Sequence, residues 1–321
     1  MLSGVATSRI FFITDVHGST RCFKKFLNAA KFYSADTLVL GGDLTGKVLI
    51  PVVEQGDGTY RCRFEGNELS LKNRKEVGDV ISRATDAGLY AQVMTRTEFD
   101  EVSADPKRVT AAFNSAMVDR VREWVRLAEE RLGNTDVKCY ISPGNDDLFE
   151  VDGVLNSSSY VINPEEKVVS IDGEHEMITL GYTNHTPWNS PREVDEDELG
   201  RKIGSLTAGV SNMRTAIFNI HVPPINTPID RAPMVDKDLK VVVKSGQVQM
   251  TSAGSTACRA AIEQHQPMLG IHGHIHESHG FATIGRTLCA NPGSDYGEGV
   301  LRGFLSEIDG ERIRSHMLTT G

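Results

Sequence analysis

The sequence predicts an α/β fold built on mixed sheets, and three observations predict it. Short apolar runs rich in β-branched residues alternate with stretches of helical spacing, which is the pattern of a layered α/β protein. Five of these runs stop at a Gly, Asp, Asn or His, as buried strands do where they meet a turn. Two Asp-Gly pairs sit inside otherwise apolar segments and mark hairpins, so antiparallel pairing accompanies the parallel. The 321 residues, 39 % hydrophobic and 24 % charged, suffice to bury a full core.

The first expected strand is RIFFIT, residues 9–14. A helix over 19–32 follows, opened by a Ser/Thr cap, with Cys22, Phe23, Phe26, Leu27 and Ala30 on one face. TLVLGG, 37–42, is the second strand. Residues 47–135 interrupt the alternation. A β-like run over 47–71 gives way to helices, the last over 108–133 with Phe113, Met117, Val121, Trp124 and Leu132 at helical spacing and Gly133 as its stop. The segment reads as a cap-like β/α insertion packed beside the core of one domain spanning 1–321. VKCYISPG (137–144), AIFNI (216–220) and MLGIHG (268–273) are further strands, and a capped helix over 255–267 stops before Pro267. Hairpins turn at Asp172-Gly173 within 168–182 and at Asp309-Gly310 within 303–319.

A net charge of −9 argues against a general nucleic-acid binder, whose footprint is a basic patch. No apolar run approaches the ~20 residues of a membrane span, and MLSGVATSR lacks the succession of a secretory signal. The five cysteines are scattered, with no Cys-x-x-Cys pair, and read as reduced thiols. The expected setting is cytoplasmic, with no membrane partner. Oligomeric state is left open.

The residues just past each apolar run carry the chemistry. Asp15 and His17 form Asp-x-His; Asp43 sits in GGDLTG; Asn145 in PGNDD; His221 in NIHVPP; His274 and His276 form His-x-His. In an extended segment residues i and i+2 point the same way, so each pair is expected to present two ligands to one spot. In open α/β sheets ligands gather at the carboxyl ends of strands. Two carboxylates, one amide oxygen and four imidazoles form a nitrogen/oxygen set that suits Mn, Fe, Zn or Co and is too nitrogen-rich for Ca or Mg alone. Seven ligands exceed the needs of one ion, and two ions sharing a carboxylate fit better. Asp43 is the natural bridge, because Asp15 belongs to a pair.

The order Asp-x-His, Gly-Asp-x-x-Gly, Gly-Asn, His, Gly-His-x-His resembles the calcineurin-like metallophosphoesterases from Asp15 to about Ser294, apart from 47–135. The resemblance implies a four-layer α/β/β/α sandwich with two metal ions between the sheets, manganese favoured over iron or zinc. It assigns Asp15, His17 and His276 to one ion, Asn145, His221 and His274 to the other, and Asp43 to both. It implies hydrolysis of a phosphodiester or phosphomonoester by a metal-bridging hydroxide, on a small phosphorylated substrate with nucleotides among the candidates. One position departs. Asp146 stands where the family carries the histidine that protonates the leaving group, and a carboxyl of ordinary pKa about 3.9 is a poor donor at neutral pH. His185 is the stand-in candidate for the acid. Asp146 is then left to hold a water or orient another group. The competing reading is a non-enzymatic interaction module on the same fold, suggested by Asp146 and opposed by the complete ligand set.

Other residues have ordinary readings beside the sharp ones. Trp188 and Arg192, in a turn-rich stretch, are candidates to stack on a base or meet phosphate. Thr227 and Asp230 are weak candidates for the cleft. Gly254-Ser255-Thr256 could cradle an anion or simply cap a helix. His272 is expected to pack and His279 to lie at the surface.

Overall fold

The computed structural model describes residues 7–321. The reading of MLSGVATSR as no secretory signal bears on residues 1–9, of which 1–6 lie outside the described residues. Strand β1 (Ser8–Ile13), helix α1 (Thr20–Phe32) and β2 (Thr37–Gly41) open the chain. Then come β3 (Leu49–Glu54), β4 (Tyr60–Phe64), β5 (Asn67–Leu71), α2 (Arg74–Asp86), β6 (Tyr90–Met94), α3 (Arg96–Ser103) and α4 (Pro106–Leu132). After these lie β7 (Lys138–Ser142), α5 (Glu150–Asn156), β8 (Val168–Ser170), β9 (Glu176–Leu180), α6 (Glu196–Thr207) and β10 (Ile217–Ile220). Short strands β11 (Arg231–Pro233), β12 (Val243–Lys244), β13 (Gln247–Val248) and β14 (Met250–Ser252) lead to α7 (Thr256–His265). The chain finishes with β15 (Leu269–Ile271), β16 (Gly280–Ile284), β17 (Thr287–Asn291), β18 (Arg302–Asp309) and β19 (Arg312–Thr320).

Two mixed sheets carry the fold. The first has the order β19-β18-β1-β2-β7 and the second β16-β17-β15-β10-β9-β8. The β1-β2-β7 and β9-β10-β15-β17 pairings are parallel, and both expected hairpins, β8-β9 and β18-β19, are antiparallel.

Strand alternation builds the layers. Ile10 and Phe12 of β1 join Val39, Tyr140, Met177, Ile217, Leu269 and Phe304 in one core between the sheets. Phe11 and Ile13 face the other way, onto Phe23 and Phe26 of α1 and Trp124 of α4. On the far side Ile178, Phe218 and Ile220 pack under Leu199 and Ile203 of α6 and Cys258 and Ile262 of α7. Helix, sheet, sheet, helix is the expected four-layer sandwich.

The segment 47–135 divides between two roles. Strands β5-β4-β3-β6 form a separate four-stranded sheet, with its own core of Ile50, Val52, Tyr60, Phe64, Val77 and Val80 under α2. The second half of α4 instead belongs to the outer helical layer: Val121, Trp124, Val125, Ala128 and Leu132 are buried there. Trp124 stacks on Phe23 with ring centroids 4.4 Å apart, and its Nε1–H donates to Thr20 Oγ1 at 3.0 Å. Emptying that site by Trp124→Ala would cost about 3–5 kcal/mol. Phe113, half-buried, lies outside this core and meets Tyr90 edge-on.

Candidate metal centre

Every expected ligand lies just beyond a strand end. Asp15 and His17 follow β1, Asp43 follows β2, and Asn145 follows β7, all in the first sheet. His221 follows β10, and His274 and His276 follow β15, in the second. The loops of the first sheet continue its parallel ladder: Asp15 N donates to Gly42 O (3.0 Å), His17 N to Asp43 O (3.0 Å) and Gly18 N to Leu44 O (2.7 Å).

The paired ligands do not converge by pleat alternation, which corrects the expectation from sequence. Asp15, His17, Asp43 and His274 have φ of 54°, 37°, 51° and 67°. These are left-handed positions that side chains with a Cβ adopt at a cost, and such strain collects at functional sites. Tight turns, rather than extended backbone, aim these side chains.

The side chains meet in two groups whose donor atoms lie within 4.8 Å of one another, Asp15/His17/His276 and Asp43/His221/His274. His17 Nε2 is 3.1 Å from His276 Nε2, and His276 Nε2 is 3.3 Å from Asp15 Oδ1. Asp43 looks both ways: Oδ2 lies 3.6 Å from His17 Nε2 and Oδ1 3.4 Å from His221 Nε2. Asn145 Oδ1 is 2.8 Å from His274 Nδ1, while its Nδ2 donates to Ser190 Oγ (2.7 Å) and Asp146 Oδ1 (3.0 Å). The amide oxygen is thereby turned towards the centre. Backbone carbonyls set two imidazoles the same way. His221 Nδ1 bonds Gly41 O at 2.9 Å and His17 Nδ1 bonds Thr45 O at 3.2 Å, which leaves each Nε2 facing inward.

These residues fit metal ions. His221 Nε2 is buried with no hydrogen-bond partner among the described residues, an orphan that a cation satisfies. Burial, helped by the neighbouring His276, brings His17 down to about 3, and burial with His221 brings His274 down to about 3. Both are then neutral, the form that ligates. Burial opposes ionisation of Asp15, yet His221, His276 and His17 hold its carboxyl well below the usual range. Burial and the Asp146 carboxylate push Asp43 up to about 6.

The residues after Asn145 have distinct jobs. Asp147, fully buried, accepts from Leu44 N (2.9 Å), Thr45 N (2.9 Å), Thr45 Oγ1 (2.7 Å) and Gly144 N (2.8 Å). It ties the Asp43 and Asn145 loops together. Asp146 stands at the mouth, where its Oδ2 pairs with Lys47 Nζ at 2.6 Å and its N–H donates to Asp43 Oδ1 at 3.0 Å. With His17 and Asp43 it forms a third group of convergent donors. The Tyr296 ring lies 4.8 Å from that of His17 and edge-on to His276. Lys47, Ser190 and Tyr296 escaped the sequence reading. Only Lys47 had a signal, standing directly behind GDLTG.

Other candidates lie elsewhere. The His185 side chain is 60 % exposed and its Nε2 meets Asp195 Oδ1 at 3.0 Å; it joins none of the donor groups. Arg192 is buried against Asp152 (2.5 Å) and the carbonyls of Asp147 and Leu148, and is structural. Trp188 is exposed. Thr227 and Asp230 are buried in a capping box of their own. The Glu196 carboxylate accepts from Ser255 Oγ, Thr256 N and Ala257 N, so the α7 N-terminus already holds an anion. His272 is buried on Ile220 O at 2.8 Å and His279 is at the surface. All five cysteines are buried and free. Among the described residues no helix is long and apolar enough to cross a membrane.

Comparison with solved structures agrees with the layers. The protein TT1561 of Thermus thermophilus aligns over 98 % of this chain and 99 % of its own, with a TM-score of 0.54 and 14 % identity. The fold is a mixed α/β sandwich of the kind seen in that structure. A phosphoesterase from E. coli, YfcE, aligns over 96 % of the chain at a TM-score of 0.33 and 12 % identity. In sequence, the uncharacterized protein MJ1162 of Methanocaldococcus jannaschii is 34 % identical over 152 residues, 47 % of this chain. That match spans 61 % of the relative's length. No protein-family model matches the chain.

Proposed function

We propose that this protein is a metal-dependent phosphoesterase acting on a small phosphorylated substrate. The observation that carries the reading is Asp43, whose two carboxylate oxygens face His17 of one donor group and His221 of the other. Asp15, His17 and His276 would hold one ion, Asn145, His221 and His274 the second, and Asp43 both. When bound, such ions supply a nucleophile from water at neutral pH and Lewis-acid stabilisation of phosphoryl charge. The chain's own groups prepare the site. The carbonyls of Gly41 and Thr45 fix the imidazoles of His221 and His17, as outer partners of ligating histidines do. Ser190 and Asp146 fix the Asn145 amide, and Asp147 holds the loops at their separation. Manganese is the first metal to test.

The full chain loaded with Mn²⁺ is assayed on an aryl phosphodiester beside the matching monoester, with a chelated control. Chelator-sensitive turnover of either supports the reading, and the ratio assigns diesterase or monoesterase. With metal bound, turnover of neither would favour an interaction module on the same fold.

A further inference from the structure

Asp146 raises an electrostatic difficulty. A phosphoryl group approaching this centre would meet a third carboxylate beside Asp15 and Asp43 where the resemblance calls for a histidine. The structure answers it with Lys47. The ammonium sits 2.6 Å from Asp146 Oδ2, its side chain half-exposed and that of Asp146 mostly covered. Asp146 itself converges with His17 and Asp43, so the cation lies one ionic contact above the bridging carboxylate. An ammonium has three donors, and Asp146 is the one ion-pair partner of Lys47 among the described residues. Its backbone is anchored as well. Gly46 N donates to Tyr90 Oη at 2.7 Å, and Gly46 packs so tightly on Gly88 that a Cβ there would stand 1.9 Å from Gly88 O. The lysine therefore springs from a fixed point beside Asp146.

We infer that Lys47, steered by Asp146, binds a non-bridging phosphoryl oxygen of the substrate and supplies the positive charge that the missing histidine would have brought to the mouth of the site. This inference rests on the phosphoesterase reading. Lys47 is a phosphate-binding residue here and Asp146 a positioning residue; neither is asked to transfer a proton.

The test measures inorganic phosphate binding by calorimetry on the Mn²⁺-loaded full chain, with metal content determined on the same samples. Lys47→Met should keep its metal and weaken phosphate binding about tenfold, the worth of one charge-assisted hydrogen bond. Lys47→Arg should restore most of the affinity. Asp146→Asn should weaken binding less, and Lys47→Met/Asp146→Asn should be no worse than Lys47→Met. Phosphate affinity within twofold of wild type in metal-replete Lys47→Met overturns the inference and leaves the phosphoesterase reading intact. So does an unchanged affinity combined with a kcat loss that grows with leaving-group pKa, since that makes Lys47 the acid. A wild-type chain that takes up no metal overturns both.

Discussion

The two sheets contribute unequal halves of the centre. The first supplies both carboxylates and the amide, with one histidine, from three loops: the loops after β1 and β2 bond to each other as a ladder, and Asp147 clamps the loop after β2 to the loop after β7. The second supplies only imidazoles, from the ends of two neighbouring parallel strands. Three of the four candidate ligands with left-handed backbone belong to the first sheet. The difference teaches that the acidic half is tied together by hydrogen bonds within its own sheet. The basic half is placed by packing across the interface. Contacts that cross include His221 Nδ1 to Gly41 O, His274 N to the Asp15 carboxylate (3.0 Å) and Ser294 Oγ to Asp15 O (2.6 Å).

The largest expected effect is at the point where the halves meet. Asp43→Ala should lower kcat/KM at least ~100-fold, beyond the usual cost of losing an outer-shell partner, with loss of bound metal by elemental analysis. A variant that keeps both would dissolve the distinction between the halves.

Next comes the seam between the ends of β7 and β9, where buried Glu165 accepts from Gly181 N through both oxygens at 2.9 Å. Burial pushes its carboxyl up to about 8 from an ordinary 4.5. The folded chain then holds a proton that the unfolded chain has released. The stability this represents is present in full below about pH 4.5 and lost as pH rises through about 8. The change is on the order of 5 kcal/mol. Urea midpoints for Glu165→Gln should lack this slope; a slope equal to wild type would place the titration elsewhere.

If ions join the sheets, chelation should loosen them. Removing metal held at 100 to 1,000 times its Kd costs about 3–4 kcal/mol, visible as a fall in Tm. An unchanged Tm would mean the interface needs no such tie. Asp147→Ala tests the rigidity of the acidic half. It leaves four donors unsatisfied and should destabilise by roughly 3 kcal/mol, with activity falling too. The smallest effect belongs to His185→Ala, on the second-sheet side but facing Asp195, which should leave kcat within about twofold, a surface change. A large loss there would restore it as the acid.

Much of this is legible because strand ends announce themselves. The runs before Asp15, Asp43, Asn145, His221 and His274 are strands, and the candidate ligands fall just past them. Pleat alternation is the wrong reason for the Asp-x-His and His-x-His pairs, since periodicity cannot register a left-handed turn at a residue with a Cβ. Strand β6 escapes a sequence reading because it is short and pairs with β3 across more than 30 residues. Helix α4 reads as part of the insertion because its apolar stripe does not say which neighbour it covers. Tyr296 is invisible for a related reason, and the place of Lys47 behind GDLTG does not reveal its partner: only the folded chain brings 47, 146 and 296 together.

Three glycines join the added sheet to the site. A Cβ on Gly18 or Gly46 would collide with Gly88 O, at 2.8 and 1.9 Å, and a Cβ on Gly88 would stand 2.2 Å from His17 O. Gly88 lies between α2 and β6, so the added sheet presses bare backbone against two of the three loops of the acidic half, those after β1 and β2. Nor can that sheet be trimmed away to make a minimal protein. A shortened chain running from β2 directly to α4 would keep every ligand and lose the wall that two of its loops lean on. In this molecule the extra sheet is part of the foundation, although its sequence reads as an annex.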